Sequence, residues 1–508
     1  AGLTTYHDLG HVDGSGKLIL TATAAGMFVF PGGEYDNFMS NTSSTIEFTG
    51  STDGTLPLKP GNFYKPYQNV IFSGTGVKYM SAENLKILGN LTIKSVTSLN
   101  NTLYNKNITI LGNWVDEHTT LAGFQPGTGM VTFSGTTAQS MNLGYTENFY
   151  NLTINNSNGV NVTAGSAGLT VSHYLYLTAG NFITSTGKLI TITNTSTSAI
   201  IGGSLSSFVD GPLCKSIISG QPFTFPVGDG TRFGQIVISN TTTSSSPDYW
   251  TASYFNANPT TGGYLTGTSN LASPISGVSD NEYWAITRPS GGTANIKLRW
   301  DASSGYTSTS ALRSRLRVVE YESVTSLWSE RGSSVSGTST SGTVGTTTPV
   351  SANDFIFTIG RIGVTATIAT SSSFSICDNG ETASIPVTLS GTSPWTLKYQ
   401  TTNGVTTKSF TQTGITNSNY SISLAGSDMG GYSATPYTLS LVSVSDATTS
   451  GVVTSNTVSI TVKQTYTPVI SGSAVAGTGE TRTYSTASHS GSSYTWAWSG
   501  TSGGTITP

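Results

Sequence analysis

Along the N-terminal part of the chain, apolar side chains come in short bursts with a period of two. Residues 45–48, 70–72, 85–87, 91–93, 108–111, 131–133 and 152–154 each carry two apolar side chains two positions apart. The same pattern returns at 160–162, 169–171, 174–177, 189–193 and 199–201. Such bursts predict strands of three to five residues, and the Gly, Asn and Ser clusters between them predict turns. Two motifs recur in one register: Val70-Ile71-Phe72-Ser-Gly-Thr75 returns as Val131-Thr132-Phe133-Ser-Gly-Thr136, and Asn90-Leu-Thr-Ile93 as Asn151-Leu-Thr-Ile154, both 61 positions on. Asn107-Ile-Thr-Ile110 echoes the second motif.

Short strands, close turns and an internal repeat predict a parallel β-helix, whose coils stack so that Leu, Ile, Val and Phe fill one continuous core. The repeat is expected to span about three coils of roughly twenty residues each, with Asn at the turns stacking in ladders. A β-sandwich is the competing assignment, and the repeat length favours the solenoid.

Beyond Phe208-Val-Asp-Gly-Pro212 the texture changes. Phe223-Thr-Phe225-Pro-Val227-Gly-Asp-Gly230 marks a strand ending in a turn, and longer strands carrying Trp follow. In one of them Ile296, Leu298 and Trp300 share a face, with Lys297 and Arg299 on the other. The Gly/Ser/Thr stretch 332–348 is expected to be a long loop or a hairpin inside this block. The predicted class is therefore all-β: a β-helix at 1–207, a β-sandwich at 208–361, an immunoglobulin-like sandwich at 362–465 and a truncated PKD-like domain at 466–508. Tyr494-Thr-Trp496-Ala-Trp498 has the alternation of a strand. The short last unit and the start at Ala1 predict a segment of a longer, exported protein.

Composition narrows the function. Only 9% of residues are charged, 22 basic against 25 acidic, for a net charge of −3. That balance offers no field to capture nucleic acid, so no such partner is expected. No apolar run is long enough for a membrane helix, so no insertion by this segment is expected. Cys214 and Cys377 fall in different expected domains and are read as free thiols.

Chemistry is sparse. His7 and His11 have the spacing of a helical metal pair, but Gly10 and Gly14 argue against a helix and no third ligand follows; His173 and His489 stand alone. Asp116-Glu117-His118 is expected to be a solvated turn after Trp114. Glycoside cleavage needs two facing carboxylates, and Glu34, Asp36, Glu47, Asp53, Glu83, Asp116, Glu117 and Glu147 suggest no pairing at coil spacing. Asp229-Gly230 and Asp378-Asn-Gly-Glu381 could offer oxygens to calcium but read as β-turns. Arg313, Arg315 and Arg317, near Glu320 and Glu322, read as a solvated strand face. Sequons such as Asn41-Thr-Ser and Asn240-Thr-Thr are expected by chance in so Asn-, Ser- and Thr-rich a chain. No catalytic, cofactor-binding or metal-ligating residue is therefore assigned, no cofactor is expected, and the chain is read as a non-enzyme.

Several segments resemble large bacterial surface proteins exported by type IX secretion. Phe149-Tyr-Asn-Leu-Thr-Ile-Asn-Asn-Ser-Asn-Gly-Val-Asn-Val-Thr163 resembles their coil motif. The run 223–230 with Arg232-Phe-Gly and Tyr283-Trp284 is similar to a sandwich module that follows such coils. Ser375-Ile-Cys377-Asp-Asn-Gly-Glu381 with Ser393-Pro-Trp395 resembles their immunoglobulin-like repeats, and Tyr494-Thr-Trp496 the opening of a PKD-like repeat. These proteins include gliding-motility adhesins. The resemblance implies an extracellular adhesin or filament at the bacterial cell surface, with outer-membrane anchoring or secretion machinery and surface glycans or abiotic surfaces as partners. It carries over no catalytic residue. A polysaccharide-binding or polysaccharide-cleaving secreted protein, and a subunit of an extracellular fibre, are the alternatives.

Overall fold

The computed structural model describes residues 8–497, apart from 25, 59–65, 165–166, 244–247, 289–291, 306–312, 339, 352–353, 448, 455, 474, 476 and 489–493. About half the chain is strand, and the helical turns are short. No helix among the described residues is long and apolar enough to cross a membrane. The chain forms two compact units that divide at Gly363 and Val364.

The first unit begins as a parallel β-solenoid. A full coil carries three strands, one on each of three faces, and each strand pairs in parallel with its counterparts on neighbouring coils. On one face Val70, Leu91 and Trp114 stand in register, followed by Met141. On the second, Gly54, Lys78, Leu99 and Phe124 align. On the third, Leu85, Ile108, Val131, Leu152 and Leu175 do so. Because alternate residues of a strand point to opposite faces, each triplet sends two side chains inward. Val70, Phe72, Leu91, Ile93, Ile108, Ile110, Leu152 and Ile154 are all fully buried.

The predicted strands at Leu85–Ile87 and Leu91–Ile93 are those observed. The stretches 169–171 and 174–177 form one strand, Leu169–Ala179, which turns a corner of the coil. The expected repeat unit is corrected. Val70 and Val131 lie on different faces, as do Leu91 and Leu152. An offset of 61 thus spans two coils and part of a third, because all three faces use the same inward-outward-inward code. The structural step is the one that joins Leu85 to Ile108 and Ile108 to Val131, and the Asn107 echo marked it.

The expected asparagine ladders form. The Asn69 side chain accepts from the Asn90 backbone N–H at 2.9 Å, Asn90 from Asn113 at 2.8 Å, and Asn113 from Ser140 at 2.8 Å. A second ladder joins Asn84, Asn107 and Met130. Each side chain satisfies an amide at a coil corner, where strand pairing is interrupted.

Past the last parallel coil the pairing changes sense. Leu213–Ile217 pairs in parallel with the strand Ile190–Ile192 and antiparallel with Asp248–Phe255. One fourteen-stranded sheet therefore runs from the coils into the antiparallel strands Tyr283–Thr287, Asp354–Ile362, Leu316–Glu322 and Leu327–Glu330. A five-stranded sheet containing Ile236–Thr243 and Gly292–Asp301 packs against it. Ile296, Leu298 and Trp300 are buried as the alternation predicted, and Ser334–Gly337 with Ser341–Gly345 is the hairpin expected within 332–348. A single hydrophobic core extends from Leu20 to Ile359. The position 207/208 thus falls inside a continuous sheet and core. The antiparallel strands cover the last rung, which would otherwise present a row of open backbone groups.

The second unit holds two sheets around its own core. One has four strands, including Thr382–Ser390 and Asn419–Ala425; the other has five, including Trp395–Thr402 and Tyr437–Ser445. Ile385, Leu397, Ile422, Leu439 and Ile460 are fully buried between them. Beyond Lys463 the described residues carry only an isolated bridge between Ser471 and Ser485. Tyr494–Trp496 forms no strand, and Trp498 lies outside the described residues.

Candidate functional site

The solenoid interior contains one cluster of ionisable side chains, two of which, Asp116 and His118, were expected in a solvated turn. Trp114–Asp116 is a rung whose first and third residues point inward, so Asp116 lies buried beside Trp114. His118 is also buried, and its Nδ1 lies 2.6 Å from Asp116 Oδ1. The backbone N–H of His118 donates to Asp116 Oδ1 at 3.0 Å, and that of Gly123 to Oδ2 at 2.8 Å. A Cβ on Gly123 would stand 2.6 Å from both Asp116 Oδ1 and His118 Nδ1, so the cluster closes only around a glycine.

Glu147, fully buried on the next coil, completes the group. Its Oε1 accepts from the Asn148 amide at 3.0 Å and from the Phe124 amide at 3.4 Å. Burial, and then the hydrogen bond and charge of Asp116, push the Glu147 carboxyl well above the ordinary range. The charged form of Glu147 is thus disfavoured by its burial and by the neighbouring Asp116.

Two expectations are corrected here. Asp116 and His118 are not part of a solvated turn, and two of the candidate carboxylates, Asp116 and Glu147, do meet between coils. They meet inside the core, where a polysaccharide has no path to them. The arrangement satisfies backbone amides and holds adjacent coils together.

The remaining carboxylates are dispersed. Glu47 takes a hydrogen bond from Lys17 at 2.8 Å, which holds its carboxyl below the ordinary range. Glu117 pairs with Lys94 at 2.7 Å on the surface, and Glu34 with His11 Nδ1 at 2.8 Å. The Asp53 side chain accepts from the Val77 amide. Among the described residues no three His, Cys, Asp or Glu side chains converge as metal ligands. His7 and His489 lie outside them. The Asp229-Gly230 turn joins two antiparallel strands, and Gly230 adopts a φ of 61°. In the other acidic turn Asp378 accepts from Thr465, and Glu381 from the Cys377 amide at 2.8 Å. Cys214 is buried and Cys377 half-buried, and neither is in a disulfide.

Two buried lysines escaped sequence reading. Lys78 occupies an inward position on the second face and donates to Gly76 O and to Thr97 Oγ1. Lys215 lies inward on the last parallel rung and donates to the carbonyls of Asn194 and Ser216. Burial lowers each ammonium to about 8. The signal was present in the period: Leu213-Cys-Lys215-Ser-Ile217 puts Lys215 on the face of Leu213 and Ile217.

The motif Arg232-Phe-Gly234 also has a structural role. Arg232 bridges Glu282 and Asp301, each at 2.7 Å, and Tyr254 donates to Glu282 at 2.8 Å. Gly234 accepts a hydrogen bond from Trp284 Nε1 at 2.7 Å and rests on the Tyr254 ring. Arg315 is buried and donates to Ile362 O, and Arg317 pairs with Glu330. Glu320 and Glu322 both pair with Arg331. The basic alternation at 313–317 is thus not a solvated face opposite Glu320 and Glu322.

The outward faces differ from the interior. On the strands Glu147–Asn155 and Leu169–Ala179, Tyr150, His173, Tyr174 and Tyr176 are half-buried and adjoin in a row, Tyr150 stacked on His173 and Tyr176 edge-on to Tyr174. Trp114, Trp250, Trp284, Trp300 and Trp328, by contrast, are fully buried core residues.

No protein-family model matches the chain. No curated protein matches it either.

Proposed function

We propose that the chain is a segment of a non-enzymatic bacterial cell-surface adhesin that attaches cells to glycans or solid surfaces. One observation carries the reading. The one place where carboxylates and a histidine gather, Asp116, His118 and Glu147, is enclosed in the solenoid, whereas the carboxylates described on the surface are dispersed and the outward rungs are rich in hydroxyls, amides and rings. Such a surface suits weak contacts repeated many times, whose combined strength exceeds that of any one contact. The all-β second unit, with two sheets around one core, is compatible with the immunoglobulin-like stalk module that the resemblance implies. Residues 466–508 would begin a PKD-like one. Type IX export, anchoring at the outer membrane and a part in gliding motility belong to the same proposal and rest on the resemblance.

The test uses the 508-residue chain on latex beads, offered to bacterial lawns, glycan-coated glass and bare glass. Retention well above that of albumin-coated beads is the expected result. Retention at the albumin level on every surface would sink the adhesive reading. Release of reducing ends or unsaturated products from a polysaccharide panel would replace it with cleavage. Concentration-dependent growth in light scattering would replace it with fibre assembly.

A further inference from the structure

The aromatic row on the outer corner of the solenoid has a built geometry. The strand Leu169–Ala179 carries one residue more than its neighbour between Val171 and Tyr174, opposite Phe149 and Asn151. Such a bulge re-aims side chains. Here it brings His173 over Tyr150, with ring centroids 4.6 Å apart and planes 25° from parallel. Tyr174 lies 3.9 Å from His173, and Tyr176 6.0 Å from Tyr174. The imidazole is held by Asn151 Oδ1, 3.0 Å from its Nδ1, and the His173 carbonyl accepts from Asn194 on the next coil.

The surroundings define what would lie there. Thr170 Oγ1 donates to Oδ1 of the exposed Asn148 at 2.6 Å, so a hydroxyl and an amide lie on the same two strands as the rings. Ile201, 42% exposed and in register with Tyr176, extends the apolar strip. The two strands carry a single acidic side chain, Glu147, which points into the core, and no Lys or Arg. A charged polymer would find no counter-ion on these two strands. Flat rings flanked by amide and hydroxyl groups match the apolar face and equatorial hydroxyls of a pyranose. Neighbouring coils lie about 4.8 Å apart, a step comparable with that between successive sugars in an extended chain.

We infer that the corner formed by Tyr150, His173, Tyr174 and Tyr176 is a binding site for a neutral polysaccharide. The inference rests on the adhesive reading and names a ligand class and a location for it. The row also departs from its own column. Lys86, Thr109, Thr132 and Thr153 occupy the outward position of the preceding coils, and Tyr176 follows three threonines. The fold therefore accepts threonine at this place.

The experiment is affinity electrophoresis of the 508-residue chain through gels containing laminarin, dextran or xyloglucan, with alginate as the anionic comparison. Retardation by at least one neutral polymer and not by alginate is expected. Tyr150→Ala combined with Tyr176→Thr should weaken it by about tenfold. Tyr150→Phe with Tyr176→Phe, which keeps the rings, should retain it, as should Tyr249→Ala on the antiparallel strands. Tyr176→Thr alone, which copies the threonine of the neighbouring coils, guards against misfolding and should weaken retardation with the melting temperature unchanged. No retardation by any neutral polymer, or retardation untouched by the ring deletions, overturns the site. Beads that still adhere to glass in that case leave the adhesive reading standing, so the two fail separately.

Discussion

The parallel coils and the antiparallel strands that follow share one core but satisfy their polar groups in different ways. In the coils the partner of a side chain sits on the next coil, as in the ladder of Asn69, Asn90 and Asn113. The coils also tolerate ionisable groups inside, in Lys78 and the Asp116–His118–Glu147 cluster. In the antiparallel region charges pair with one another, Arg232 with Glu282 and Asp301, and Arg331 with Glu320 and Glu322. The coils satisfy polar groups singly from coil to coil, whereas the facing sheets join several charges in local networks. Loss of one polar contact should accordingly be mild in the ladders of the coils, and larger where packing or a charge network is broken.

The largest effect is expected at Gly234. A Cβ there would lie 2.0 Å from ring atoms of Tyr254, so Gly234→Val should cost about 3 kcal/mol or more. Calorimetry should show the first unit's transition lost or shifted far down while that of the second unit stays. Equal loss of both transitions would end the distinction between the units. Trp114→Ala opens a cavity among Phe124, Phe149 and the neighbouring coils, and should cost roughly 3–5 kcal/mol.

Glu147→Gln tests the buried pair. Because the folded carboxyl holds its proton above the pH at which the unfolded one releases it, stability falls as pH rises from the ordinary carboxyl range toward the raised folded value. The slope is about 1.4 kcal/mol per pH unit for one group. Melts of wild type and variant between pH 5 and pH 7.5, below the titration of Lys78 and Lys215, should converge at the acid end. They should diverge in favour of the glutamine variant toward the neutral end. Parallel curves would mean that Glu147 is ionised in the fold. The smallest effect belongs to the ladders: Asn90→Ala should cost about 1 kcal/mol by urea titration, since one exposed amide loses its partner to water.

Much of this was legible one strand at a time. Alternation identified Ile296, Leu298 and Trp300 as one buried face, and the rung triplets as strands. Applied without regard to residue type, it also marks Asp116 in Trp114-Val-Asp116 and Glu147 in Glu147-Asn-Phe149 as inward. Their charge argued for solvent, and the period was the better guide. The repeat misled for a related reason: a period-two code is the same on every face, so two identical motifs need not occupy the same one.

By itself the sequence determined the class of secondary structure, the positions of the strands and the side of each strand that faces the core. Those follow from local alternation and from turn residues, which act over a few positions. The tertiary structure alone decided which rungs are neighbours, because coil length varies along the solenoid and only stacking sets the register. That register brought Asp116 to Glu147, placed His173 over Tyr150, and ran one sheet from the coils into the antiparallel strands that cover their end.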